Sequence, residues 1–164
     1  MTLVLGLATV VFVADQLTKR WALARLDASQ PVVVIPDVLH LVLVMNPGVA
    51  FGIFAGVPPG WRWVVTLFSL TALALLASLA FRILPRGSVA ARVAIGLVFG
   101  GAVGNLLDRW RFGAVVDFID VFWRMYHWPA FNVADSAITV GVCLLAAELA
   151  FGRDDVPRRD PADG

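Results

Sequence analysis

Residues 63–81 read WVVTLFSLTALALLASLAF, a run without one charged side chain and long enough to cross a bilayer core, which takes about 20 apolar residues. The rest of the chain agrees with lipid as its solvent. Hydrophobic residues are 60% of the 164 and charged residues 15%, against roughly 45–50% and about 25% in soluble domains. Working outward, 89–107 is a second such run, with Arg92 near one end and Asp108 just past the other. Residues 134–151 form a third, with Asp135 at its start and Glu148 near its end. At the N-terminus, 2–14 is apolar but too short alone, so the span must continue through Asp15, Gln16 and Lys19 towards Leu23. Basic residues do not precede it, and charges occupy the region before Ala22-Leu23-Ala24. A retained helix therefore fits better than a cleaved leader.

The connections have a different texture. Val32-Val33-Val34-Ile35 is β-branched, Pro36-Asp37 punctuates it, and 39–45 is a second strand-like run closed by Asn46-Pro47-Gly48. Unpaired backbone is not tolerated in hydrocarbon, so this small sheet belongs at the membrane surface. In 117–128, Phe118, Phe122 and Met125 recur at helical spacing among Asp120, Arg124 and His127, which predicts a short interfacial helix. The expected fold is thus an all-α membrane protein: four transmembrane helices, a small extracytoplasmic β-sheet and that interfacial helix. It forms one domain over 1–152, followed by a charged, proline-containing tail at 153–164 expected to be disordered. Arg82, Arg86 and Arg92 beside the tail arginines favour cytoplasmic termini, but basic residues on the other side leave the charge count undecided.

The net charge of +1 offers nothing to nucleic acid. The single cysteine, Cys143, excludes an internal disulfide and cysteine-pair zinc sites. No H-E-x-x-H, G-x-S-x-G or phosphate loop occurs, so no metal and no cofactor is expected. His40 reads as an interfacial histidine rather than a ligand.

The acids carry the functional reading. Counting spans up and down brings Asp15, Asp108, Asp117 and Asp135 to one side of the membrane, where each is expensive unless partnered or used. Asp15 and Lys19 share a helix face and can pair, as do Asn105 and Arg109. Gly96, Gly100 and Gly104 form a stripe that admits a close neighbouring helix. Asp117, inside Val115-Val116-Asp117-Phe118, resists ionisation through desolvation. Together with Asp135 it could share a proton and activate water against an amide. Helix-end capping and ion pairing are the alternative on spacing alone. A proton-coupled transporter and an inert membrane subunit also remain open.

Four blocks carry a resemblance: Asp15-Gln16-Leu17-Thr18-Lys19; Asn46-Pro47-Gly48-Val49-Ala50-Phe51-Gly52; Gly101-Ala102-Val103-Gly104-Asn105-Leu106-Leu107-Asp108-Arg109, running on to Asp117-Phe118; and Phe131-Asn132-Val133-Ala134-Asp135-Ser136. In order and spacing they resemble lipoprotein signal peptidase (signal peptidase II), departing at Val49, where alanine is frequent. The resemblance implies a bacterial inner-membrane aspartic endopeptidase with both termini cytoplasmic and its site near the periplasmic face. It would cut diacylglyceryl-modified prolipoproteins before the lipidated cysteine. Asp117 and Asp135 match the catalytic pair. Asn46, Gly48, Asn105, Arg109 and Asn132 match residues around it, and Asp15, Lys19 and Asp108 match more structural ones. The implied partners are the lipidated precursor and membrane lipids, with the enzyme acting as a monomer. The 118–128 segment is matched to the family's mobile periplasmic helix.

Overall fold

The computed structural model describes residues 1–48, 62–83 and 88–151. Among these the chain forms helices α1 (Thr2–Arg25), α2 (Arg62–Ile83), α3 (Val89–Phe112) and α4 (Val133–Phe151). Strands β1 (Val32–Ile35) and β2 (Leu39–Asn46) lie between α1 and α2, and β3 (Val115–Trp123) and β4 (Tyr126–His127) between α3 and α4. Residues 49–52 of the second block and the 153–164 tail lie outside the described residues.

Helix α3 is central, packing most extensively on α4 and α1 and less on α2. Its glycines explain the closeness. A Cβ on Gly100 would meet Ala8 O at 2.5 Å and Val11 Cβ at 2.8 Å, and Gly96 abuts Leu7 and Val4. The stripe therefore faces α1. Gly101, on the opposite flank, lies against Ala134 O and Ile138 of α4, and Gly141 of α4 returns the contact onto Val98 and Ala94. Each end of α3 has a local cause. The Ser88 hydroxyl accepts from Ala91 N, and Gly113 takes φ 67° and donates its N–H to Arg109 O at 2.9 Å. The helix thus runs past Leu107, carrying Asp108 and Arg109 in its last two turns.

Helices α1 and α3 have the length and hydropathy to cross a membrane. Burial is inverted relative to a water-soluble domain. Leu3, Val10, Leu17, Phe68, Leu75, Val140 and Val142 are exposed, while Asp15, Lys19, Asn105, Asp108, Asp117 and Asn132 are buried.

The sheet is antiparallel in the order β1-β2-β3-β4. Strand β3 replaces the interfacial helix expected over 117–128. Val115, Val116, Ile119 and Val121 are β-branched, and β2 offers a ladder running from Leu39↔Val121 to Asn46↔Val115. Phe118 and Phe122, four apart, share a face in either conformation. Helical spacing was therefore no discriminator, and a partner strand some 75 positions away in the chain decided the matter. The chain reverses at Asp37 (φ 61°) and Arg124 (φ 57°), left-handed positions that close the two hairpins.

Candidate active site

The C-terminal half of α1, the C-terminal end of α3, the N-terminus of α4 and the start of β3 converge on one polar cluster built in two tiers. In the inner tier Lys19 Nζ lies 2.9 Å from Asp15 Oδ2, 2.8 Å from Asp108 Oδ2 and 2.8 Å from Asn105 Oδ1. The ammonium is 2% exposed, and its three partners match its three hydrogens.

The same two carboxylates also fasten secondary structure. Asp15 Oδ1 accepts from Ala134 N at 3.0 Å in the first turn of α4, and Asp108 Oδ2 accepts from Val116 N at 3.2 Å at the start of β3. Gln16, which sequence reasoning left out of the site, is buried here. Its Nε2 donates to Asp108 Oδ1 at 3.1 Å and Asp15 Oδ2 at 3.2 Å. The available signal was its position three residues before Lys19, on the same helix face.

Lys19 also orients the outer tier. An ammonium has no acceptor, so Asn105 must present its oxygen to it, and the Asn105 amide nitrogen is left to donate to Asp135 Oδ1 at 2.8 Å. Asn132 is the N-cap of α4. Its Oδ1 accepts from Asp135 N at 2.9 Å, while its Nδ2 donates to Asp117 Oδ1 at 2.7 Å. One buried side chain thus touches both aspartates. The other Asp117 oxygen accepts from Asn46 Nδ2 at 2.9 Å. Asn46 is held in turn, its Oδ1 accepting from Gly48 N, and Gly48 O accepts from Arg109 Nη2 at 3.0 Å. Arg109 Nε is buried without a partner among the described residues.

All ten residues singled out from the sequence therefore belong to this one cluster. Asp117 is 1% exposed. Burial is the main force raising its pKa to about 7; the nearby Asp135 charge also pushes it up, and hydrogen bonds from Asn46 and Asn132 oppose the rise. Arg109 interacts electrostatically with Asp135, Asp117 and Asp108, most strongly with Asp135. Such a pair of carboxyl groups, one able to keep a proton near neutrality, has the equipment for acid–base hydrolysis.

Beside the cluster opens a cavity of about 670 Å³ between α2, α3 and α4, closed on one side by 128–131. Its walls are mainly apolar, including Phe68, Leu73, Val98 and Ile138. Asn46, Asn105, Arg109 and Asp135 supply its polar part.

Comparison with known proteins gives the same direction. Residues 7–151 match the family model described as signal peptidase (SPase) II. A lipoprotein signal peptidase of Syntrophotalea carbinolica is 46% identical over 94% of this chain and 93% of its own length. That of Pseudomonas aeruginosa is 44% identical over 88% and 86%. A solved bacterial membrane enzyme superposes with TM-score 0.76 at 32% identity, covering 96% of this chain and 93% of that one. A second gives 0.70 at 34%. The chain belongs to the signal peptidase II family and is an aspartic peptidase.

Proposed function

We propose that this peptidase removes signal peptides from diacylglyceryl-modified prolipoproteins, cutting just before the lipidated cysteine with Asp117 and Asp135 as its catalytic pair. The observation that carries this reading is Asn132, whose side chain bonds both the Asp117 carboxylate and the Asp135 backbone N–H, beside an apolar cavity that Asp135 lines. All four helices span the inner membrane of a bacterium, both termini are cytoplasmic, and the cluster faces the periplasmic leaflet. Residues 1–152 act as one monomeric domain and 153–164 as a cytoplasmic tail. A lipidated cysteine keeps its acyl chains in the bilayer, so its scissile amide sits near the interface. An enzyme for it needs polar groups at that depth and an apolar cavity beside them.

In the proposed reaction the pair holds a single proton, on Asp117, and Asp135 acts as the base. Asp135 takes a proton from a water as its oxygen attacks the carbonyl carbon, and Asp117 protonates the carbonyl oxygen. Transfer of the Asp135 proton to the amide nitrogen then breaks the C–N bond, and the diol proton returns to Asp117. Fixed positioning by Asn46, Asn105 and Asn132 limits the reorganisation required.

Incubating the protein in liposomes with a lipidated precursor and its unlipidated counterpart tests the reading by mass spectrometry of the products. Cleavage of the lipidated form alone, immediately before the modified cysteine, is expected. Equal cleavage of both, or a cut elsewhere, would refute the substrate assignment.

A further inference from the structure

Asp120 sits three residues beyond Asp117 on β3 and takes no part in the dyad network, yet it is only 8% exposed. Both of its oxygens lie 3.0 Å from His127 Nδ1, and His40 Nδ1 lies 3.8 Å from Oδ2. The Phe122 ring is flanked by the same two imidazoles, at 4.3 Å from His40 and, stacked, at 4.8 Å from His127. One carboxylate thus ties the strands on both sides of β3. With the Asp120 oxygens as acceptors, His127 Nδ1 is the donor of this pair.

The position of His127 makes this pairing consequential. It ends β4, and the next four residues, Trp128 to Phe131, form one wall of the cavity before Asn132 reaches the dyad. That wall is pinned at its far end by Phe131, which exchanges backbone hydrogen bonds with Ile119 at 2.9 and 3.0 Å. At its near end the Trp128 N–H donates to Val121 O, and β4, a strand of two residues, leads into it. So short a ladder fixes register weakly by itself.

We infer that Asp120 and His127 form a positioning pair that sets the cavity wall 128–131 against the apolar segment of the substrate. The inference rests on the function proposed above. The pair acts through the wall and touches neither the scissile amide nor the attacking water, so it governs substrate binding and leaves the chemical step alone.

Two substitutions separate the hydrogen bond from the ring stacking. His127→Phe keeps a ring on Phe122 and removes the donor. His127→Asn gives up the stacking but places an amide N–H near the position of Nδ1. In the full-length protein with a lipidated precursor, His127→Phe should raise KM about three- to fivefold with kcat within about twofold, the effect of one lost hydrogen bond from a half-exposed imidazole to a buried carboxylate. His127→Asn should keep KM within about twofold of wild type. Asp120→Leu should match His127→Phe, and the double variant should be no worse than either single one, because both remove one interaction. Asp120→Asn, which retains an acceptor oxygen but loses the charge, should raise KM less than Asp120→Leu, and that ordering reports on the pair if His127→Phe is poorly folded. An unchanged KM in Asp120→Leu or His127→Phe, a loss carried by kcat, or equal impairment in His127→Asn would overturn the positioning pair. If wild-type protein cleaves normally while these variants show no KM effect, only this pair falls. Failure of wild-type protein to cleave would count against the function itself.

Discussion

Lys19 and Asp117 illustrate two fates of a buried charge. Lys19 is matched by two carboxylates and an amide oxygen, so removing it would strand Asp15 and Asp108 in a dry site. Asp117 has only amide donors and stays near the edge of ionisation. Its pKa of about 7 lies above the ordinary carboxylate value, so the folded protein keeps a proton that the unfolded chain has released. The stability this contributes is whole below about pH 4 and lost as pH rises through about 7. Asp117→Asn cannot ionise. It should therefore gain roughly 1–3 kcal/mol over wild type at pH 8 and little at pH 4, read by thermal unfolding in detergent. The gain is held down because the new amide turns one donor towards Asn46 or Asn132. A difference independent of pH would contradict the cause given for the raised pKa. These acids were legible in the sequence because a carboxylate beside a hydrophobic span calls for partners or a use. Asp120 and Gln16 were not, since Asp120 lies outside the spans, Gln16 is an uncharged side chain within one, and each finds its meaning only in its folded neighbours.

Helices and strands differ in how far they announce themselves. The four helices were readable from apolar runs, and the stripe Gly96, Gly100 and Gly104 correctly implied a close neighbour without saying that it is α1. Strand β3 was misread because it exists by virtue of β2. Phe118 and Phe122 alone satisfy both periodicities. The glycine packing gives a paired expectation. Gly100→Ala forces a methyl onto Ala8 O and Val11 and should lower stability by about 1–3 kcal/mol. Gly6→Ala in α1 meets nothing within 4 Å and should raise it by about 0.5–1 kcal/mol through helix propensity. Unfolding temperatures of the two variants in one detergent should move in opposite directions. A rise in both would mean that α1 and α3 are not so closely packed.

Taken whole, the molecule is apolar outside and polar at one end of its bundle, with the sheet over that end. The proposed topology puts β1 outside the cell membrane and the start of α3 inside. In a Cys143→Ser background, Val34→Cys should react with a membrane-impermeant maleimide on intact spheroplasts, and Ser88→Cys only after permeabilisation. Both positions are exposed, and reversed labelling would invert the topology. Neither the family blocks nor the fold depends on that outcome; the proposed chemistry does depend on the two aspartates acting together. Cleavage of a lipidated precursor by folded Asp117→Asn and Asp135→Asn is the direct measurement. Both variants are expected to fall by at least about a hundredfold in kcat while still binding substrate. Wild-type turnover by either one would contradict a catalytic pair.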